Sequence, residues 1–377
     1  MATQPIGSEL KTDQSLGWKV WALTFGLLQG FALVWAFAGF WSSFPAGVRG
    51  FLAIPMLLVA VWLVTLVHEF GHALATVLVG WRIAAFAAGP LGIQLVNRQF
   101  AIIRRSKRTE MEGFVLPVPA SAAVFTRGRN ALIDVAGPVT SLVVAFVGIG
   151  IGLSQASPYN SDFEPAGLVL GVGVLSLIVA AHTILPLGPN DRLVDGQHFL
   201  RMLRLDDSLW RRYRALSSLH ALARYQVRLR DLPEWMLAEA EQEAVNNPDL
   251  AKAYECMVIG IALDSAPVDR VTTRSLLDDF RAKYGGSVWL DSCDAYFIAI
   301  WEGDAERARD RLWVGESEDD MVAMQLAAEG AVHARAGDAQ SARRLVEQMR
   351  RAIRKRSAFP DPTFRDIERQ ILALLPS

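Results

Sequence analysis

Four runs of apolar residues, about 18 to 41, 51 to 79, 131 to 153 and 167 to 187, are each long enough to cross a bilayer. Hydrocarbon offers no partner to a backbone N–H or C=O, so runs of this kind fold as helices that bond their own backbones. That requirement makes the first half of the chain a helical membrane bundle. The second half differs, because charges that are sparse before residue 190, outside one segment, become dense after it. At 377 residues and 52% hydrophobic, the chain has room for a membrane domain and a sizeable water-soluble one. Its balance of 38 Lys and Arg against 39 Asp and Glu gives no support for nucleic-acid binding.

Loop charge sets an expected orientation. Residues 81 to 130 carry Arg82, Arg98, Arg104, Arg105, Lys107, Arg108, Arg127 and Arg129, whereas residues 42 to 50 offer only Arg49 and residues 154 to 166 no Lys or Arg. The positive-inside rule places 81 to 130 in the cytoplasm, together with a polar tail at 1 to 17 and everything after the fourth run. The first run has no small-residue cleavage signal and reads as a retained span. Within 81 to 130, Ile83 to Val96 and Phe114 to Pro119 have strand character, interrupted by Gly89-Pro90, Gly92, Pro117 and Pro119. Prolines confine such strands to edges, so a small sheet able to hold an extended peptide by strand addition is expected. The basic run Arg104 to Arg108 suits anionic lipid headgroups.

Inside the second run lies His68-Glu69-Phe70-Gly71-His72. On a helix, residues four apart share a face, so two imidazoles can grip one metal ion while Glu69 activates a water. A buried structural histidine pair is the plainer reading, but three ionisable groups within five residues of a span are costly and by default functional. A catalytic zinc normally takes three protein ligands. Beyond the fourth run, Pro186, Gly188 and Pro189 turn the chain back, and Asp191 or Asp195 can supply the third. Two histidines and a carboxylate favour zinc over other divalent ions. In the third run, Ala136-Gly137-Pro138-Val139-Thr140-Ser141 is a stretch of small residues that lets helices approach closely.

The order and spacing of these pieces, His68-Glu69-Phe70-Gly71-His72, then Gly137-Pro138, then Pro186 followed by Asp195-Gly196, resemble the site-2 protease family of intramembrane zinc metalloproteases over roughly residues 50 to 200. The resemblance implies a three-helix catalytic core in which His68, His72 and Asp195 hold zinc and Glu69 is the base. It favours Asp195 over Asp191 because only Asp195 keeps the Asp-Gly pair. It further implies a membrane-anchored protein substrate and residence in a cell membrane of the bacterial inner-membrane type. One position departs: where the family often has Asn three residues before the loop proline, this chain has Thr183, preceded by His182.

From about 206 the chain reads as helices of 10 to 18 residues. Gly303-Asp304-Ala305-Glu306-Arg307-Ala308-Arg309 recurs as Gly337-Asp338-Ala339-Gln340-Ser341-Ala342-Arg343, 34 residues later, the period of tetratricopeptide-type helix pairs. The glycines can close one helix and the aspartates cap the next. One period upstream Ala266-Pro267-Val268-Asp269 sits at the equivalent turn, and Asn247-Pro248-Asp249 opens the helix before it as a capped start. Cys256 and Cys293 have no close-spaced partners and read as free, buried thiols in a reducing compartment. The expected architecture is mainly α: a membrane metalloprotease domain over 18 to 205 with a small β insertion, then a cytoplasmic helical-repeat domain over 206 to 377 that binds substrate or a regulator. A membrane adaptor with a structural metal site and a metal-ion carrier are the rival readings.

Overall fold

The computed structural model describes residues 16–45, 47–89, 91–95, 101–104, 113–155, 165–185, 195–225, 229–312, 322–356 and 362–376. It is mostly helical, and four of its helices are long and apolar enough to cross a membrane. They are α1 (Leu16–Ser42), α2 (Arg49–Leu78), α3 (Arg127–Gln155) and α4 (Pro165–Ile184). The mutual packing of α2, α3 and α4 is set by small residues. At the α3/α4 contact, a Cβ added to Gly148 would lie 2.9 Å from the Cα of Gly173, so the two backbones meet with no side chain between them. Around this seam the apolar faces remain exposed, as with Phe31, Phe51, Phe70 and Phe146, which suits contact with lipid rather than water. Residues 1–15, most of the expected N-terminal tail, lie outside the described residues.

A four-stranded antiparallel sheet follows α2, with strands β1 (Trp81–Ala88), β2 (Leu91–Gln94), β3 (Ala101–Arg104) and β4 (Phe114–Pro119) in the order β3-β2-β1-β4. Gly80, at φ +81°, makes the turn from helix to strand. From there β1 runs back along α2, and the Trp62 indole donates to Ala88 O at 3.0 Å. Trp62 sits midway along α2, about 24 Å before its end at ~1.5 Å per residue. The small sheet expected within 81 to 130 is therefore present, and it lies alongside an apolar helix. Its first strand is largely buried and carries one charge, Arg82, which lets it sit there. The basic residues Arg105, Lys107 and Arg108 fall outside the described residues.

Helix α5 (Asp195–Arg204) follows, then α6 (Asp207–Tyr225). The chain divides into two compact units, residues 1–210 and 211–377, with the boundary inside α6. At the end of the first unit, Trp210 packs edge-on against Phe125, which packs edge-on against Trp81, while Arg127 pairs with Asp207. The second unit is helical: α7 (Glu234–Asn246), α8 (Pro248–Asp264), α9 (Arg270–Tyr284), α10 (Val288–Phe297), α11 (Ala305–Asp310), α12 (Val322–Arg335), α13 (Ala339–Arg356) and α14 (Pro362–Ala373).

The turns of this unit carry the chemistry read from the repeat. Gly303 and Gly337 have φ of +80° and +83°. Asp304 accepts from Arg307 N and Asp338 from Ser341 N, both at 3.0 Å, so each aspartate caps the helix that follows its glycine. Asp269 caps α9 in the same way. Alanines 327, 328 and 331 of α12 are fully buried against Tyr296, Ala342, Val346 and Ile371, which draws α10, α13 and α14 around one core. Below it, the buried carboxylate of Asp294 meets Arg274 at 2.6 Å, Arg281 at 3.1 Å and Arg311 at 3.5 Å. Cys293 is buried as expected, but Cys256 is only half-buried, because its face of α8 is only partly covered.

Candidate metal centre

His68 and His72 lie one turn apart on α2, ten residues and more from either helix end for His68. Helical spacing puts both rings on the face that meets α3, and the rings stand edge-on with centroids 4.9 Å apart. Asp195, the first residue of α5, closes the group. His68 Nε2 is 3.1 Å from Asp195 Oδ2, His72 Nε2 is 3.3 Å from the same oxygen, and the two Nε2 atoms are 3.2 Å apart. Among the described residues these three form the group of ligand-type side chains able to hold one ion.

The far sides of both imidazoles are held. His72 Nδ1 lies 2.7 Å from Ile133 O. A carbonyl only accepts, so Nδ1 carries the proton, and the neutral ring then points an Nε2 lone pair at His68 and Asp195. His68 Nδ1 lies 3.0 Å from Ser141 Oγ, which fixes the second ring. Both partners come from α3, as does Gly137, where an added Cβ would lie 2.6 Å from His72 Cδ2 and 2.7 Å from its Cε1. Gly137 is thus the floor on which the His72 ring rests. Within the motif itself, a Cβ on Gly71 would stand 2.7 Å from Ala136 O, so this glycine lets α2 and α3 close.

These residues fit a zinc ion. Ligand atoms ~2.05 Å from a tetrahedral ion are ~3.3 Å from one another, and the triangle here has edges of 3.1 to 3.3 Å. Lone pairs and a carboxylate brought that close in a buried site call for a cation between them. Each histidine also has the rear hydrogen-bond partner that metal-bound imidazoles keep. Glu69, buried on the adjoining face of α2, packs against Gly113 just before β4, where an added Cβ would lie 2.6 Å from the Glu69 Cδ.

Of the residues singled out in the sequence, His68, His72 and Asp195 come together, with Glu69 beside them. Asp191, the other acid, lies outside the described residues with Pro186 and the rest of 186–194. Thr183 contributes no proton to the site, since its hydroxyl donates to its own helix at Val179 O (3.0 Å) and Ala180 O (3.2 Å). His182 is exposed. Sequence reasoning missed Gly113, Ile133 and the specific parts of Gly137 and Ser141, because a carbonyl or an absent Cβ has no signature of its own. It also missed Asp134, whose Oδ2 is buried with no partner among the described residues, and His198, one turn along α5 from Asp195, whose pKa burial lowers from 6.5.

Comparison with known proteins extends this picture. No curated protein and no solved structure matches the chain. The family model of Peptidase family M50, the site-2 protease family, matches residues 56–355, from within α2 to near the end of α13. That span takes in the histidine pair, Asp195 and most of the helical unit, and it is far more than half of the chain. The protein therefore belongs to peptidase family M50, a family of membrane metalloproteases.

Proposed function

We propose that this protein is a zinc-dependent intramembrane endopeptidase that cuts the membrane-spanning segment of an anchored substrate protein. The observation that carries the reading is the convergence of His68, His72 and Asp195, with edges of 3.1 to 3.3 Å, inside helices of span length and beside a buried glutamate. The chemistry a zinc ion supplies when held there is Lewis acidity, which polarises the scissile carbonyl and makes water more acidic. Glu69 takes one proton from the attacking water as its oxygen bonds to the carbonyl carbon, then passes a proton to the amide nitrogen as the C–N bond breaks. Ile133 O and Ser141 keep the imidazoles aimed throughout, and the surrounding helices limit access of bulk water.

A helical substrate hides its peptide bonds, so it must be drawn out before it is cut. The sheet order leaves one side of β4 without a strand partner among the described residues, and β4 starts next to Glu69. An extended segment added to that side gains backbone hydrogen bonds in exchange for those of its helix. On this reading the N- and C-termini are cytoplasmic, as the basic residues of 81 to 130 suggest, and the second unit offers a tetratricopeptide-like surface to the substrate or to a regulator. Purified protein and a single-span substrate in detergent test the enzyme directly. Cleavage by the natural chain, absent in Glu69→Gln at unchanged metal content, is expected; equal cleavage by both sinks the mechanism, and metal retention without cleavage by either points to a structural metal site.

A further inference from the structure

Helix α5 packs along α3, and contacts near its two ends fix its level. At its start Asp195 lies 3.3 Å from His72 Nε2, on a ring tied to Ile133 O. Just past its end Asp207 pairs with Arg127, and Trp210 packs against Phe125. The helix therefore runs beside the first turns of α3, residues 127–134. Those turns hold Arg127, Arg129 and Asp134, whereas residues 135–155 carry no charge. At ~1.5 Å per residue the 21 residues of 135–155 measure about 31 Å, one hydrocarbon thickness. The charged turns, and α5 with them, thus stand at the rim of the hydrocarbon. At this level α5 turns leucines away from the protein. Met202 is fully buried, but Leu200 and Leu203 are 40% and 60% exposed. At ~100° per residue the two leucines lie about 60° apart, and Leu200 stands about 160° from Met202. Arg204 shares their side and Arg201 flanks it.

We propose that α5 is a bilayer-interface helix: Leu200 and Leu203 dip into the acyl boundary of one leaflet, Arg201 and Arg204 reach its headgroup phosphates, and this grip keeps Asp195 in the metal triangle. Exposed leucines set among arginines suit that boundary, where an apolar side chain finds lipid and a long cationic one lays its stem on lipid and its head in water. Leu132 of α3, within the same charged turns, is 51% exposed and extends the apolar surface at this level. Asp195 opens the helix, and the leucines follow one and two turns on, so lipid contact bears directly on the element that delivers the third ligand. Leu200 and Leu203 are positioning residues, and their hold on Asp195 rests on the metal-site reading above.

Nitroxides on single cysteines of the full chain in phospholipid nanodiscs read the contact without any turnover. Cys256 and Cys293 are first changed to alanine, with an unchanged melting temperature as the check on that background. Labels at Leu200→Cys and Leu203→Cys are compared with one at Phe146→Cys, 70% exposed in the middle of α3, and one at Val271→Cys, 82% exposed in the second unit. Oxygen collects in lipid and a nickel chelate stays in water, so the ratio of their collision rates reports the surroundings of each label. At both leucine positions a ratio about threefold or more above that at Val271, and below that at Phe146, is expected. A ratio equal to that at Val271, or low collision with both reagents as under a covering protein surface, overturns the proposal. Zinc competition in the same nanodiscs then tests the hold on Asp195. Leu200→Gln with Leu203→Gln is expected to weaken zinc binding about tenfold, and Leu200→Met with Leu203→Met to leave it unchanged. Equal affinity in the glutamine pair and the natural chain overturns that hold. A natural chain that binds no zinc sinks the metal reading and the hold with it, while the nitroxide ratios still decide the lipid contact.

Discussion

Replacing Gly137 by alanine tests how the His72 ring is seated against α3. The new Cβ would stand 2.6 to 2.7 Å from two carbons of the His72 ring, where ordinary contact begins near 3.4 Å. The ring, whose Nε2 lies nearer still to that Cβ, must therefore retreat by more than about 0.8 Å, several times the ~0.2 Å that a metal–ligand distance tolerates. It cannot simply pivot, because Nδ1 is tied to Ile133 O at 2.7 Å. A loss of ~10- to 100-fold in metal affinity is expected, the range for disturbing the support of a ligand, with activity falling alongside. Alanine favours a helix interior by ~0.5–1 kcal/mol over glycine, but forcing a Cβ against a tied ring costs ~1–3 kcal/mol, so a modest loss of stability is expected beside the larger loss of metal affinity. Zinc competition titrations and thermal unfolding in detergent measure the two. Gly150→Ala on the same helix is the matched control, since nothing lies within 4 Å of its Cβ. If Gly137→Ala binds zinc as tightly as the natural chain, the seating of His72 against α3 is wrong.

Three further outcomes follow from the same geometry. Ser141→Ala leaves His68 Nδ1 without its 3.0 Å partner and is expected to weaken zinc binding roughly tenfold while sparing the fold, as read by the same titration. Thr183→Val should change cleavage less than threefold, a difference of about 0.65 kcal/mol, because the hydroxyl serves only the carbonyls of its own helix; a larger loss would mean that it turns toward substrate. In the helical unit, Ser341 N–H and hydroxyl and then His333 hold the Asp338 carboxyl below its ordinary value of 3.8. A lowered folded pKa adds stability that is full above pH of about 4 and fades as the pH falls further. Asp338→Asn, which keeps a capping oxygen, is expected to flatten that acid limb of a melting-temperature profile and to change little at pH 7.

The parts of this protein visible in its sequence are those written in side-chain periodicity. The histidines announce a shared helix face by their spacing, and four long apolar runs announce spans. Gly303-Asp304 and Gly337-Asp338 state a helix end and a helix start in adjacent letters, and the bonds to Arg307 N and Ser341 N follow. The course of β1 along α2 was not legible, since it depends on a contact between Trp62 and a carbonyl 26 residues away. The strand runs in 81 to 130 announced a small sheet, but not which stretch of helix it would lie along. Between Asp191 and Asp195, spacing alone left two answers; the Asp-Gly pair favoured the second. A physical basis for that glycine is now visible, since a Cβ on Gly196 would stand within 2.9 Å of Ile184 Cα and closer still to its carbonyl.

The third corner of the metal triangle arrives late in synthesis. Between His72 and Asp195 the chain must first make the whole sheet, α3 and α4. At ~5–20 residues per second, the 123 positions from 72 to 195 take roughly 6 to 25 s to emerge. Until then the nascent protein holds two histidines and a glutamate but lacks the carboxylate of Asp195. On the proposed reading, a partly made copy already in the membrane is thereby kept harmless by the order in which its own parts are translated.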